Sequence, residues 1–339
     1  MLEIISTCRQ LDERAAQIYA QLGSVSSDSE LAAFWGRMSR DEEEHVTYWR
    51  SLEHVARNGG LPEFFDDPAT TLAELRSHLS KLDTLLAQSR LAHEPLQAFL
   101  VASGLELYLL YPALEALWHF AEEVLGISGS PAAAYETHID RLLSAERRFG
   151  EPTLMLELFS ETIRRLWIQN RRLAVDSQTD ALTGLTNRRS LLVGMGALGR
   201  LAERAGGTVA VLMVDVDDFK RVNDRHGHQR GDHVLARIAG AVRQAMRRSD
   251  VVARFGGDEL LIFLPELRPA LLSELAEKVR YAIAAIADEV EGVTASVGAA
   301  AMRIEGDVDS ALQRLIGRAD ESLHEAKARG KNASVVAEP

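Results

Sequence analysis

Cysteine is nearly absent from this chain: Cys8 is the only one in 339 residues. No disulfide can close within one molecule, which excludes the small disulfide-stapled folds and fits a reducing compartment. Long apolar runs are also missing. Nothing approaches the roughly 18 residues that a membrane-spanning helix needs, and the acidic, helix-like N-terminus lacks the pattern of a signal peptide. A cytoplasmic protein with no membrane contact is the expectation. Positive charge is in short supply as well: 38 Lys and Arg stand against 50 Asp and Glu, a net charge of −12. That argues against a nucleic-acid binder, because a phosphate backbone demands a basic surface. Small nucleotides stay open, since they need only a few local cations and usually a metal. What remains is ordinary globular composition, 46% hydrophobic and 26% charged, at a length that suggests two domains.

Up to about Asp176 the patterning is helical, with breaks at GSVSSDS (23–29), NGGLP (58–62), SGSP (128–131) and GEP (150–152). Helices are expected over 3–22, 30–57, 71–90, 95–125 and 132–149. A sixth, 153–176, carries Leu156, Phe159, Ile163, Leu166, Asn170 and Leu173 in alternating steps of three and four. That spacing is an a/d seam, and an asparagine at an a position often selects a two-stranded state. A dimerising connector follows, with an amphipathic helix packed on its own domain as the alternative. The pattern then turns to α/β. TVAVLMVDV (208–216) reads as a strand buried on both faces. A helix is expected over 231–247, a hairpin from VVARF through GGDE to LLIFLP, a helix over 270–287, a strand over 293–300, a helix over 309–328 and a short last strand. The sheet should be mixed.

In this second half the acids lie where phosphoryl chemistry would need them. Asp215 and Asp217 end the buried strand, and Asp258 and Glu259 occupy a glycine turn where backbone can approach a ligand closely. Carboxylates from two such elements can hold divalent metals that clamp a triphosphate and activate a hydroxyl. Lys220, Lys327 and Lys331 are candidate cations for phosphate oxygens. Taken singly, each is an unremarked surface turn residue; their joint occurrence is the signal.

The segments DALTGLTNRR (180–189), VDVDDFKRVNDRHGHQRGD (214–232) and RFGGDEL (254–260) together resemble the GGDEF-domain diguanylate cyclases. The resemblance covers about residues 177–336. It implies a ferredoxin-like nucleotidyl-cyclase fold and an enzyme, a nucleotidyltransferase, that condenses two GTP into cyclic di-GMP with release of two pyrophosphates. Each domain of a homodimer would present one GTP. Carried over by motif, Asp215, the Val216 carbonyl, Asp258 and Glu259 would bind Mg²⁺ or Mn²⁺. Asp258 or Glu259 would activate the 3′-hydroxyl, and Lys220 would stand near the transferring phosphate. Asn223 and Asp232 would read guanine, and Lys327 and Lys331 would hold the terminal phosphates. Leu260 replaces the motif's Phe, while His324 and Lys331 replace a more usual aromatic and arginine. His226 and His228 are expected to be structural. RRSD (247–250), five residues before GGDEL, matches the family's RxxD inhibitory site, where Arg247 and Asp250 would bind cyclic di-GMP; a surface ion pair is the alternative reading.

Two helical hairpins, 3–57 and 95–149, joined by a long crossover resemble a ferritin-like four-helix bundle. Such folds place a Glu-x-x-His motif inward, and Glu42 with His45 supplies one on the apolar stripe of Met38 and Trp49. An offset of 93 superposes Glu13 on Glu106, His45 on His138 and Glu53 on Glu146. The resemblance implies a di-iron site from Glu13, Glu42, His45, Glu106 and His138, in a sensor domain over 1–150 followed by a signalling helix (151–178) and the cyclase domain (179–339). Two problems stand. Tyr135 occupies the place of Glu42 in the second motif, leaving Tyr135 or Glu136 as substitutes, and Asp12 lies closer than Glu13 to the apolar face of its helix. A metal-free dimerisation or ligand-binding module, or a haem domain, remains open.

Overall fold

A computed structural model describes residues 1–57, 61, 64–65, 67–127, 129, 131–150, 153–290 and 292–338. The expected breaks at 58–62, 128–131 and 150–152 fall largely outside the described residues. The chain forms two compact units. The first is helical and extends through Ser177; the second begins at Gln178.

In the helical unit, α1 (Leu2–Val25) and α2 (Ser29–Arg57) form the first hairpin. α3 (Pro68–Ser89) starts where Asp67 accepts from the Thr70 amide at 3.0 Å, with Pro68 fitted to the first turn. The single helix expected over 95–125 is two: α4 (Pro95–Leu109) and α5 (Pro112–Glu123), bent by 60°. Pro112 has no N–H to continue the ladder and clashes with the preceding turn, which ends α4 and opens α5. α6 (Pro131–Phe149) and α7 (Leu154–Gln178) complete the unit. Its core is aromatic, with Tyr19, Trp35, Trp49, Phe99 and Tyr135 all buried. Among the described residues no single helix is long and apolar enough to cross a membrane.

α7 packs within this unit. Leu156, Ile163 and Asn170 of the expected seam are buried, and Asn170 donates from its amide to the Leu110 carbonyl at 2.6 Å. The break before Pro112 frees that carbonyl, and a buried carbonyl without a donor is costly. Asn170 therefore serves its own unit, the alternative reading of the seam. A different stripe, with Leu154, Leu158 and Ile168, faces outward.

The second unit is built on a six-stranded mixed sheet of order β1-β3-β4-β2-β5-β6. Its strands are β1 (Thr186–Asn187), β2 (Thr208–Val216), β3 (Val251–Arg254), β4 (Glu259–Leu264), β5 (Ala295–Arg303) and β6 (Ser334–Val336). β2 runs antiparallel to both β4 and β5, while β1–β3 and β5–β6 are parallel. Helices α10 (His228–Ala245) and α11 (Leu272–Ala284) cover one face of β2, and α8 (Arg188–Ala205) and α12 (Val308–Ala328) cover the other. Both faces of TVAVLMVDV are thus buried, as its nearly continuous apolar run predicts. Neither α8 nor α9 (Phe219–His226) was expected from the patterning. The small residues of β5 let α12 come very close. A Cβ on Gly298 would sit 2.1 Å from the Leu323 amide nitrogen. That approach carries the last turns of α12 over the end of β2.

Candidate active site and a buried acid–histidine cluster

The end of β2 gathers the acids of the second unit. Asp215 pairs in register with Glu259 on β4 and Ser296 on β5. Lys327, delivered by α12, places its Nζ 2.8 Å from the Asp215 carboxylate. Burial pushes the Asp215 carboxyl up, Lys327 opposes this, and Asp258 and Asp217 add to it. Glu259 is also raised, by burial first and then by the charges of Asp215 and Asp258. Asp258 sits in the turn between β3 and β4, and its carbonyl accepts from the Val216 amide at 3.3 Å. A Cβ on Gly256 would lie 2.4 Å from Glu259 Oε2, so a side chain there would push the Glu259 carboxylate aside. Arg254 braces the same turn. Its guanidinium donates to the Gly257 carbonyl at 2.7 Å, to the Gly256 carbonyl at 3.2 Å and to Asp180 at 3.2 Å.

Asn223 on α9 lies against Gly231, the residue before Asp232 on α10, and two glycines shape that corner. Gly227 (φ +81°) turns the corner, and Gly231 leaves the space that the Asn223 amide fills; a Cβ there would meet Asn223 Oδ1 at 1.9 Å. Lys220 is exposed. Lys331, at φ +66°, pairs with Asp218 at 2.6 Å. Asp217 does not join these acids. Its carboxylate accepts from Thr294 and Ser296 hydroxyls at 2.7 Å each and from the Asn332 amide at 2.9 Å. It ties β5 to the C-terminal turn, because the chain has left the strand after Val216 and the alternation that would pair it with Asp215 has ended.

Residues 177–333 match the family described as diguanylate cyclase, GGDEF domain. The second unit is a GGDEF domain. Over 107 residues the chain is 43% identical to diguanylate cyclase DgcP of Pseudomonas aeruginosa, covering 32% of this chain and 16% of that protein. It is 37% identical over 106 residues to the response regulator PleD of Caulobacter vibrioides, covering 31% and 23%. The chain thus spans less than a quarter of either relative. Among solved structures, that of diguanylate cyclase SiaD in complex with its activator SiaC from Pseudomonas aeruginosa is 31% identical. It covers 85% of this chain and 99% of that one, with a TM-score of 0.45.

At the RxxD segment of the GGDEF domain, the Arg247 side chain is exposed and Asp250 is buried. The Asp250 carboxylate accepts from the Arg247 amide at 2.9 Å, capping its own turn, and burial pushes its pKa up. Arg243 holds the turn from below through the carbonyls of Asp250, at 2.7 Å, and Arg247. Arg243 lies one helical turn before Arg247, outside the RxxD motif itself, so the motif does not mark it. His226 and His228 are exposed.

In the helical unit a second cluster is wholly buried. Glu42 lies at its centre. Its Oε2 is 3.0 Å from His45 Nδ1 and its Oε1 is 3.3 Å from His138 Nε2. Asp12, which accepts from Trp49 Nε1 at 2.7 Å, completes one group with Glu42 and His45. Glu106 completes another with Glu42 and His138, its Oε1 lying 3.1 Å from His138 Nε2. In each group the ligating atoms lie within 4.8 Å of one another. Burial works against a charge on His138, yet the neighbouring Glu106, Asp41 and Glu42 hold its pKa up at about 10.

Glu13 stands outside the cluster, one-third exposed and paired with Arg9 at 2.5 Å. Asp12 occupies the place expected for it, because α1 packs on α2 through the face shared by Asp12 and Tyr19, two turns apart. Glu53 and Glu146 are also elsewhere, bonded to Arg9 at 2.8 Å and Ser160 at 2.9 Å. Tyr135, not Glu136, enters the cluster. Its hydroxyl donates to Glu106 Oε2 at 2.5 Å, and the Tyr19 hydroxyl donates to Glu106 Oε1. Glu136 is exposed and faces Arg171 at 3.8 Å. The donor set fits a transition metal, with carboxylate oxygens and imidazole nitrogens. Glu42 Oε1, fully buried, has no hydrogen-bond partner meeting normal geometry.

Proposed function

We propose that this chain is a sensor-regulated diguanylate cyclase that acts as a homodimer and condenses two GTP into cyclic di-GMP. The observation that carries the reading is the meeting of Asp215, Glu259 and Lys327 at one end of β2, inside a GGDEF domain. Asn223 and Asp232 read the guanine edge, an amide and a carboxylate suiting its donors and acceptors. Lys327 and Lys331 bind the terminal phosphates, exchanging their present pairing with Asp215 and Asp218 for ligand oxygens. Asp215, the Val216 carbonyl, Asp258 and Glu259 offer the hard oxygen donors that suit Mg²⁺ or Mn²⁺, which would neutralise charge on the phosphates.

Asp258 or Glu259 takes up the 3′-hydroxyl proton as its oxygen attacks the α-phosphorus of the GTP held by the partner subunit. Pyrophosphate leaves, and Lys220 steadies the charge on the transferring phosphate. The raised pKa of Glu259 makes it a better base. Arg247 and Asp250 form the inhibitory product site, with Arg247 free to reach a guanine and Asp250 having to turn out of its cap. The helical unit is a ferritin-like sensor. Asp12, Glu42, His45, Glu106 and His138 would hold a di-iron centre, and a signal there would change how two α7 helices pair.

Incubation of the purified protein with GTP and Mg²⁺ tests the enzyme. Cyclic di-GMP is expected from the wild type, Asp258→Ala should reduce turnover to background, and Arg247→Ala should retain turnover while losing product inhibition. No cyclic dinucleotide under any metal or redox condition, with cyclic di-GMP still bound, would leave a non-catalytic receptor instead.

A further inference from the structure

His45 and His138 present different nitrogens to Glu42. His45 uses Nδ1, whereas His138 turns its Nε2 toward Glu42 Oε1 and Glu106 Oε1. A histidine ring can flip, and the nitrogen that ligates is set by the hydrogen bond of the other. For His138 that second bond runs to a carboxylate on α2. Asp41, the neighbour of Glu42 on α2, brings its Oδ2 to 3.2 Å from His138 Nδ1. Arg141, one turn beyond His138 on α6, holds the same carboxylate oxygen at 2.8 Å. The Tyr135 ring lies against the imidazole, 5.5 Å between centroids and 13° from parallel. Tyr135 thus sets the plane of the ring and Asp41 its rotation within that plane.

We infer that Asp41 is a positioning residue for a metal ion held by Glu42, Glu106 and His138: it fixes the His138 tautomer and turns Nε2 inward. The inference rests on the metal reading of the helical unit. It is independent of which transition metal binds, since it concerns only which nitrogen faces the site. Its second support is Glu42, whose Oε1 is completely buried, lies beside that same Nε2 and has no hydrogen bond of its own. The other ion, at Asp12, Glu42 and His45, does not use this device; there the hydrogen bond from Trp49 Nε1 orients Asp12. The two half-sites therefore differ in what supports them, and Asp41 should matter to one only. Asp41 keeps about a fifth of its side chain exposed, so the ion it supports is linked to a surface ion pair with Arg141.

Cobalt(II) supplies a test with a visible spectrum and no need for turnover. Metal-stripped full-length wild type, Asp41→Asn, Asp41→Ala and His138→Ala are titrated with Co²⁺, following ligand-field absorption and bound metal per chain. The wild type should take up two ions. Asp41→Ala should weaken one of them by about 10- to 100-fold and leave the other in place. Asp41→Asn, which can still accept a bond from Nδ1–H, should fall between. His138→Ala should lose the same spectral component, and adding Asp41→Ala to it should change nothing more. Asp41→Ala binding both ions as the wild type does would overturn the inference while leaving the metal site standing. Equal weakening of both ions would also overturn it, by making Asp41 a general packing residue. A wild type that binds no cobalt would overturn the metal reading and this inference with it.

Discussion

Glu115 lies in the first turn of α5 with 7% of its surface exposed. Burial raises its carboxyl to about 7, and the charge of Arg171 on α7 opposes the rise. The sign follows from linkage. The folded state holds this proton more tightly than the unfolded chain does. Its contribution to stability is therefore complete below the ordinary value of 4.5 and is lost as pH climbs through 7. Thermal unfolding of the metal-free protein should show a melting temperature that falls from about pH 5 to pH 8. Glu115→Gln should flatten that slope and raise stability at pH 8 by ~3 kcal/mol, the linked value of a rise from 4.5 to about 7. An unchanged slope would assign the pH dependence to other groups. Proximity in the chain did not mark Glu115, since its neighbours Leu114 and Ala116 are ordinary helix residues; only the turn created by Pro112 brings it toward α7.

At the scale of elements, two corners decide the chemistry. Between α9 and α10 the backbone of Gly231 gives room to the Asn223 amide. Gly231→Ala should displace Asn223 and cost about one hydrogen bond, near tenfold in KM for GTP. Turnover at saturation and the melting temperature should move little; a KM equal to wild type would detach Asn223 from guanine recognition. Between β5 and α12 the closeness at Gly298 is what sets Lys327 over Asp215. The local pattern made both neighbourhoods partly legible. GHQRGD announces a turn, and the run of small residues in VTASVGAA announces close packing, but neither says which side chain fills the gap. α7 shows the opposite case. Its heptad-like spacing was visible, yet whether Asn170 faces another chain or its own domain depends on a carbonyl 60 residues away, freed by Pro112.

For the molecule as a whole, the proposed mechanism, with one GTP held by each GGDEF domain, makes turnover a property of the pair. α7 exposes Leu154 (73%), Leu158 (54%) and Ile168 (53%) on its outward face, more apolar surface than a helix of a lone unit usually shows water. If this face joins two copies, Leu158→Glu with Ile168→Glu should convert dimer to monomer in sedimentation and remove most of the specific activity. The loss should be reversible in part by raising protein concentration. A double variant that stays dimeric and active would place the dimer contact elsewhere.

The chain order alone established the two-unit division near residue 177, the buried central strand and the GGDEF acids. Those signals are local: a nine-residue, nearly continuous apolar strand, a glycine turn and motifs of a few residues each. Tertiary structure decided which nearby residue takes part. It put Asp12 rather than Glu13 beside His45, Tyr135 rather than Glu136 beside Glu106, and Asp217 into a structural tie apart from Asp215. Each choice turns on the rotation of a helix or the end of a strand against its neighbour. That rotation is set by packing between segments far apart in sequence, and one residue of error moves a side chain by about 100° around a helix.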